Sequence, residues 1–596
     1  MNLVEHRSNI GSAADVQGAL PLSKELQVHE MSAPFPVNLR CLLIIGFAAL
    51  VLALPMLING PMEQGHDTYE HLNYSSHFSE QFWSGEWYPR WLVGMNHGLG
   101  TPTLFVYPPL PSYVYTLLVP VGRVLHYDAF RMGEALALFG SGVCAFLWLN
   151  TIAGEAIALA SAVLYMLMPY HLAIDFYRRT ALSECWALVW IPLVLYCCVK
   201  AMERPVFVVG IAFAYALLIL SHLVSVFIFS LIPLAATFAS LPRGEKLKSI
   251  LRVAAGMLLG GGLSCFYFVS AFSHAKYFPV SRLPLWSDLE GHLLTVGKLV
   301  HGSSGGFMRL MSMTALDMTA VCVMCGIVVL AKGRPESRRI VLFWLMVFIV
   351  PLLLMHGRAA AIWKACPPLF AAIQYPWRLN IVLCIAALPI IAVFLSEISR
   401  LPRLSRALLL VLLFVLISPW LLSYTSVWRS YRAQTARRFS LVNDDDGWFS
   451  AWSAPGTDEA SALQASMGPQ VRFLAGTGTA DVRLWKPRHI EIQTNSATGG
   501  SIVINQFYYA PWRAALVDNS KSIDVKATLP EGLMEVQVPP GSKRVRLDIP
   551  TGSAEHIGRW ISGVCVFLSA VLTWSLRRDG IPVSAVRSNS RVSAAF

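Results

Sequence analysis

Long apolar runs, separated by short polar segments, constrain the fold of this chain more than any other feature. A run of about twenty apolar residues is long enough to cross the hydrocarbon core of a bilayer as a helix. Such runs occur at 39–60, 132–150, 155–176, 180–199, 205–220, 222–241, 251–272, 313–331, 339–356, 379–397, 404–424 and 557–576. Because 55% of the residues are hydrophobic and only 14% are charged, an ordinary soluble domain is excluded. The sequence predicts a polytopic α-helical membrane protein with about 12 spans.

The positive charge of the chain follows the ends of these runs. The net charge is +12, and Lys and Arg cluster within 243–252, 332–339, 400–406 and 577–578. Loops rich in Lys and Arg stay on the cytoplasmic side of a membrane, and all four clusters do so if the twelve runs cross and both termini are cytoplasmic. The bilayer is therefore the expected partner, and nucleic acid is not.

The even number of crossings leaves one further apolar segment unassigned. Residues 107–125 are rich in proline, and we expect them to be re-entrant or to lie along the interface. A second topology stays open: if 205–241 is one long helix, the first half of the chain inverts and the "YRR" of 177–179 moves to the inner side.

The remaining regions divide into tails, a first outer loop and a β domain. Residues 1–37 predict a disordered cytoplasmic tail, 38–424 a transmembrane domain whose first outer loop is 61–131, and 577–596 a second cytoplasmic tail. Within 425–556, stretches such as "VRLWKPRHIEIQTN" alternate apolar and polar residues, which predicts a small antiparallel β-sandwich outside the membrane. Acceptor binding, partner docking, a lid and a purely structural cap are all compatible with this domain.

The first outer loop begins with "GHDTYEHLNYSSHFSE", directly after the first apolar run. On a helix, one face of this segment carries titratable groups: His66, Asp67, Glu70, His71, Tyr74 and His77. A solvated amphipathic helix lying on the headgroups would show the same stripe. Other outer loops add charged and polar side chains, at Arg90, Arg178, Arg179, Glu184, His222, His301, Tyr375 and Arg378. A carboxylate can accept a proton from a hydroxyl, and the arginine fork suits a lipid phosphate.

Four blocks of the chain resemble a known superfamily. "GHDTYEHL", "GEWYPRWLVGMNHGLGTPTLFVYPPLPSY", "MPYHLAIDFYRRTALSE" and "QYPWRLN" are similar to motifs of bacterial GT-C membrane glycosyltransferases. Within that superfamily they resemble the 6-pyruvoyl-tetrahydropterin-synthase-related and YfhO-like membrane proteins. The resemblance implies a GT-C-like fold in the bacterial cytoplasmic membrane. It also implies transfer of a sugar from a polyprenyl-phosphate donor to an envelope glycan, lipid or protein on the outer face.

The resemblance also implies roles for individual residues. Asp67 matches the acidic residue that contacts the acceptor and acts as base, with Glu70, His66 and His71 beside it. Arg178, Arg179, Arg378 and Arg90 are expected to hold the donor phosphate. Glu184, His222, His301 and Tyr375 are expected to support them. The displacement would be a single one with inversion. Since the loop at 177–184 lacks the paired carboxylates of better-known members, we expect no metal and no other cofactor. A non-catalytic scaffold or a transporter of envelope polysaccharide assembly is the alternative.

Overall fold

The computed structural model describes residues 38–62, 65–240, 245–278, 288–301, 306–433 and 452–578. The tail predicted at 1–37 lies outside the described residues. So does the tail predicted at 577–596, apart from its first two residues.

Most of the described chain is helical. The α-helices are α1 Leu39–Asn59, α2 Thr68–Trp83, α3 Leu110–Leu125, α4 Ala129–Ala153, α5 Glu155–Leu167, α6 Leu182–Glu203, α7 Phe207–Ser221, α8 Leu223–Phe229, α9 Leu231–Ser240, α10 Lys246–Leu263, α11 Cys265–His274, α12 Val296–His301, α13 Phe307–Lys332, α14 Pro335–Met355, α15 Ala360–Ala365, α16 Pro367–Ile373, α17 Asn380–Ile398, α18 Arg403–Ala433, α19 Glu459–Ser466 and α20 Ser553–Arg578. A π-helix at Tyr170–Arg179 continues from α5, and a 3₁₀ turn at Pro376–Leu379 precedes α17.

Ten helical segments in the described part of the chain are long and apolar enough to cross a membrane. Each corresponds to one of the predicted runs, so the prediction of a polytopic helical protein is confirmed. The two other runs differ in shape. The run at 205–220 forms α7, which has only 15 residues, and the run at 251–272 forms α10 and α11, which are bent by 70°. The structure therefore has ten candidate spans, or eleven if the bent pair is one span.

The bent segment packs closely against its neighbour α7. A Cβ atom added at Gly260 would lie 2.6 Å from the carbonyl oxygen of Ala212, so the glycine permits the two backbones to approach. The bend occurs at Ser264, whose hydroxyl donates a hydrogen bond back to the Gly260 carbonyl at 3.1 Å. Small residues and a bend thus replace the straight helix expected from the apolar run.

The proline-rich segment 107–125 forms α3, a helix of 16 residues. At 1.5 Å per residue it spans roughly 24 Å, less than the hydrocarbon core of about 30 Å. Leu117, Val124 and Leu125 are exposed along it. An interfacial position for this helix stays a prediction.

The β domain lies between α18 and α20 and contains two antiparallel sheets. The strands are β1 Val471–Gly476, β2 Thr479–Lys486, β3 His489–Ser496, β4 Gly500–Phe507, β5 Arg513–Leu516, β6 Ser522–Ile523, β7 Val525–Ala527, β8 Leu533–Val538 and β9 Gly541–Asp548. One sheet has the order β1-β4-β8-β7 and the other β2-β3-β9-β5-β6. Alternating side chains of both sheets, such as Ile492, Ile504 and Val545, are fully buried in one core. The predicted antiparallel β-sandwich is therefore present.

The core of the sandwich extends into the first outer loop. Trp91 and Phe105 of that loop belong to the same buried cluster as the strands. The Trp91 Nε1 donates a hydrogen bond to the Gln506 Oε1 at 2.7 Å, and the Gln506 Nε2 donates to the Gly98 carbonyl at 2.6 Å. The backbone N–H of Phe507 donates to the Leu99 carbonyl at 2.7 Å. The β domain is consequently bonded to the loop that carries Asp67.

Candidate active site

A single arginine is the centre of the charged cluster. The Arg179 Nη1 donates hydrogen bonds to Asp175 Oδ1 and to Glu184 Oε2, both at 2.7 Å, and its Nη2 donates to Asp67 Oδ2 at 2.9 Å. The other oxygen of Glu184 accepts a hydrogen bond from the Tyr170 hydroxyl at 2.7 Å. The structure thus brings Asp67, Arg179 and Glu184 together, as the sequence predicted, and adds Asp175.

The backbone around Arg179 explains how three of these groups converge from one short segment. The π-helix Tyr170–Arg179 ends at Thr180, which has a left-handed φ of 56°, and α6 begins two residues later. The N–H of Ala181 turns back to the Asp175 carbonyl at 2.8 Å. Such π-helical turns occur frequently at functional sites. The tight reversal places Asp175 and Glu184 on either side of the same guanidinium.

Backbone hydrogen bonds join the first outer loop, which carries Asp67, to the segment that carries Arg179. The N–H of Asp67 donates to the Arg179 carbonyl at 2.9 Å, and the N–H of His66 donates to the Arg178 carbonyl at 3.4 Å. Gly65 lies where the loops meet. A Cβ atom there would come within 2.9 Å of the Thr180 hydroxyl and 2.0 Å of the Thr68 hydroxyl. The glycine of the "GHD" block therefore permits the close approach that brings Asp67 to Arg179.

The carboxylates of the cluster differ in their access to solvent. The side chains of Asp175 and Glu184 are 0% and 2% exposed, and that of Arg179 is 4% exposed. The Asp67 side chain keeps 36% of its surface accessible. Of the three carboxylates bonded to Arg179, Asp67 is therefore the one that an acceptor molecule can reach.

The charge state of Asp67 is determined by opposing effects. Burial alone would raise the pKa of Asp67, but the charge of Arg179, aided by that of Arg378, outweighs it, and the pKa lies below its usual range. Asp67 is consequently ionised at neutral pH. The ionised carboxylate is the form that can accept a proton from a hydroxyl.

The two histidines beside Asp67 have different surroundings. His71 is buried, and burial lowers its pKa to about 4, although Asp67 raises it in part. The backbone N–H of His71 donates a hydrogen bond to the backbone carbonyl of Asp67 at 3.1 Å. His66 is exposed and its ring lies 4.6 Å from the ring of Phe307. Partial enclosure lowers the pKa of His66 as well. Both imidazoles are therefore neutral at pH 7.

Two further arginines have no acidic partner among the described residues. Arg378 is half-buried, donates to Gln374 Oε1 at 2.5 Å, and keeps its buried Nε without a hydrogen-bond partner. It is close enough to Asp67 and Glu184 for their charges to interact. Arg178 is also half-buried, and no described side chain pairs with its guanidinium. These two cations remain available to an anionic ligand.

Aromatic side chains connect Arg378 to Arg179. The Trp377 ring lies 5.1 Å from the Arg179 guanidinium and 5.9 Å from that of Arg378. Tyr375 stacks on Trp377 at 5.1 Å with an interplanar angle of 16°. Tyr375 is thus beside the cluster, as predicted, and burial raises its pKa. The "QYPWRLN" block supplies both a cation and the rings that hold it.

Sequence reasoning missed three residues of the site, Asp175, Tyr107 and Trp377. Asp175 is four residues before Arg179, a spacing that places oppositely charged side chains on one helix face, and this signal was present in "DFYRR". Tyr107 contacts the rings of His71 and Tyr74, each at 5.9 Å, and burial raises its pKa. Nothing in the sequence distinguished Tyr107 or Trp377 from other aromatic residues of the outer loops.

The remaining predicted residues are in other surroundings. Arg90 donates to the Ser270 hydroxyl and, at 2.9 Å, to the Phe266 carbonyl, and its Nε lies 3.7 Å from Glu555. This arginine is bonded inside the protein, so its contacts give no support to the predicted phosphate-binding role. His222 separates α7 from α8, bonds Ser225 at 2.7 Å, and lies within electrostatic range of Glu184.

Glu70 and His301 do not bond to Arg179. Glu70 is half-buried in the first turn of α2, and His301 is exposed at the end of α12. The predicted stripe on α2 is also modified, because the helix begins at Thr68 and leaves His66 and Asp67 in the preceding turn.

Comparisons with known proteins give weak likenesses. No family model matches the sequence, and no curated protein matches it. The structure is similar to the arabinofuranosyltransferase AftD from Mycobacteria, with 16% identity, 66% of this chain and 27% of that chain covered, and a TM-score of 0.44. It is also similar to the oligosaccharyltransferase of Archaeoglobus fulgidus tethered with an acceptor peptide (15% identity, 65% and 55% covered, TM-score 0.39).

A third likeness is to the archaeal oligosaccharyltransferase AglB from Archaeoglobus fulgidus in complex with an inhibitory peptide and a dolichol-phosphate. The identity is 13%, 66% of this chain and 56% of that chain are covered, and the TM-score is 0.40. The chain thus spans only part of the length of each neighbour. Because all three TM-scores are below 0.5, they do not determine the activity of this chain. The narrower resemblance to the tetrahydropterin-synthase-related and YfhO-like proteins stays a prediction.

Proposed function

We propose that this chain is a membrane glycosyltransferase of the GT-C type. It transfers a sugar from a polyprenyl-phosphate donor to a hydroxyl of an envelope glycan, lipid or protein on the outer face of the bacterial cytoplasmic membrane. The observation that carries the proposal is the accessible carboxylate of Asp67, held by Arg179 at 2.9 Å beside cations that have no acidic partner in the described chain.

In the proposed reaction an acceptor hydroxyl attacks the anomeric carbon of the sugar from the side opposite the phosphate. The new bond joins the acceptor oxygen to this carbon, the bond from the carbon to the phosphate oxygen breaks, and the acceptor proton goes to Asp67. The polyprenyl phosphate leaves with the bonding electrons. One base and a single displacement imply inversion of configuration.

The departing phosphate develops negative charge, and Arg378 and Arg178 are suited to stabilise it. Positive groups aimed at the position where charge develops contribute strongly to catalysis in a site shielded from water. Arg378 meets this requirement because no described carboxylate pairs with it. Arg179 does not meet it, since its guanidinium is bonded to three carboxylates. In this proposal Arg179 holds the three carboxylates in place, and it does not bind the donor phosphate as the sequence had predicted.

The test is replacement of the base. In a deletion strain, the wild-type chain is expected to restore the missing envelope sugar, and Asp67→Asn is expected to fail although it is made in normal amount. General-base catalysis contributes roughly 10²–10⁴-fold, so the lipid-linked sugar should accumulate. Glu80→Gln is the matched control, because Glu80 is 76% exposed on α2 and forms no part of the Arg179 cluster.

The alternative functions give the opposite result. A scaffold or transporter needs the fold but no base, and Asp67→Asn would then restore the envelope as well as the wild-type chain does. That result would exclude the proposed transferase activity.

A further inference from the structure

Three carboxylates converge on one point of the site, and a guanidinium already occupies that point. Asp67 comes from the first outer loop, Asp175 and Glu184 come from the reversal around Arg179, and one oxygen of each carboxylate accepts a hydrogen bond from Arg179 at 2.7–2.9 Å. Converging carboxylate oxygens are the usual ligands of a hard divalent cation. In a glycosyl or phosphoryl transfer site, such a cation orients groups and neutralises charge.

These three carboxylates do not form a metal site while Arg179 is in place. One oxygen of each carboxylate faces the guanidinium, and the second oxygen of Glu184 is bonded to the Tyr170 hydroxyl. Throughout the described ranges, no group of three His, Cys, Asp or Glu side chains has the geometry to hold a metal. The second oxygen of Asp175 is buried without a partner, and a single such oxygen is insufficient for a metal site.

Arg179 has the properties that this position requires. A guanidinium cannot lose its proton in a protein, and its planar fork holds carboxylates in a definite orientation. The ring of Trp377 lies 5.1 Å from the guanidinium, so the cation is held by an aromatic face as well as by carboxylates. Its side chain is 4% exposed, which strengthens each electrostatic contact relative to water.

We infer that Arg179 is a built-in cation that takes the place of a divalent metal ion, holding Asp67 in position for the acceptor. Arg179 is then a positioning residue, and the reaction needs no added metal. This inference rests on the proposed function only for the role of Asp67; the statement about the cation can be tested without donor or acceptor.

The experiment is a Mn²⁺ titration of the purified full-length protein in lipid nanodiscs, followed by electron paramagnetic resonance. In Arg179→Ala the three carboxylates lose their cation, and we expect this variant to bind about one Mn²⁺ per chain. The double variant Arg179→Ala with Glu184→Gln should lose that binding. Wild-type protein should bind none at this site, and neither should Arg178→Ala, in which a neighbouring arginine without a carboxylate partner is removed.

Two results would overturn the inference. One is a folded Arg179→Ala protein that binds no Mn²⁺. The other is stoichiometric Mn²⁺ in the wild-type protein that disappears in Asp175→Asn. If Arg179→Ala does not fold, Mn²⁺ binding by the wild-type protein is compared with Mn²⁺ binding by Asp175→Asn. That comparison alone then tests the inference. Since Mn²⁺ binding requires no sugar transfer, a failure of the proposed function would leave these outcomes unchanged.

Discussion

At the scale of single residues, the site separates two kinds of arginine. Arg179 is neutralised by the carboxylates around it, whereas Arg378 and Arg178 lack acidic partners within the described ranges. A buried or half-buried cation without a partner is costly unless a ligand compensates for it. The phosphate of a lipid-linked donor would supply that compensation, which makes Arg378 the residue to test.

Arg378→Ala is expected to raise the KM for the donor about 10- to 100-fold, since a hydrogen bond to a charged group is worth roughly 1.5–3 kcal/mol. Arg378→Lys should recover part of the loss, because lysine keeps the charge without the fork. Steady-state kinetics with varied donor and fixed acceptor measures both. Arg358→Ala, at an exposed position in the segment that precedes Arg378, is the control. A donor KM that stays at the wild-type value in Arg378→Ala would contradict the assignment.

His71 predicts a dependence of stability on pH. Its folded pKa of about 4 lies below the unfolded value near 6.5, so the unfolded chain binds more protons between these two values. The stabilisation is complete above pH 6.5 and is lost as the pH falls to about 4. Thermal unfolding in detergent from pH 4 to 8 should therefore show a smaller loss for His71→Gln than for wild type. His301→Gln, at an exposed position, is the control. If His71→Gln lost as much thermal stability as wild type between pH 8 and pH 4, the assignment to His71 would be contradicted.

At the scale of elements, the first outer loop is held between the helices and the β-sandwich. Trp91, Leu99 and Phe105 pack into the core of the sandwich, while Asp67 bonds the turn after the π-helix. Arg90 lies at the junction, where the buried Glu555 of α20 is also bonded by Arg488 at 2.9 Å. A domain bonded in this way positions the loop, in contrast to a lid that swings freely.

Gln506→Ala is expected to weaken this junction. The change removes the hydrogen bonds to the Trp91 Nε1 and the Gly98 carbonyl and leaves buried groups unpaired, at a cost of about 1–3 kcal/mol each. Limited proteolysis of the first outer loop and the thermal unfolding temperature should both report the loss. Gln537→Ala, on an exposed position of β8, is the control. Equal protease resistance in both variants would show that the loop is held by other contacts.

At the scale of the whole molecule, the outer loops predicted from the charge pattern meet at one end of the helices. His222 has an extended backbone that separates α7 from α8, so 205–241 is not one continuous helix, and His222 lies within electrostatic range of Glu184. The first outer loop, the turn at 177–184 and the "QYPWRLN" block also meet there. The side of the membrane on which this end lies stays a prediction.

Cys366 offers a direct test of that side. Of the eleven cysteines it is the exposed one, since eight of the others are buried and two are partly buried. A membrane-impermeant maleimide should label intact cells through Cys366, and Cys366→Ser should abolish the labelling. Labelling only after permeabilisation would place the site in the cytoplasm and exclude an outer-face donor.

The sequence by itself determined most of the helices and strands, and the segments whose charged residues meet in the folded chain. Apolar length predicted ten of the candidate spans, and period-two alternation predicted the β-sandwich. The resemblance to GT-C motifs directed attention to Asp67, whose role stays a proposal. Each of these signals is local, since a few neighbouring residues decide whether a segment buries one face, both faces or none.

Only the tertiary structure decided which charges pair. Arg179 bonds Asp67 across 112 residues, Trp91 bonds Gln506 across 415, and Arg90 meets Glu555 of the last helix. All four outer arginines of the predicted phosphate set looked alike in sequence, yet one is neutralised by carboxylates, one is bonded at the β-domain junction and two remain available. Pairing depends on distance and burial after folding, and no sequence periodicity encodes contacts between segments so far apart.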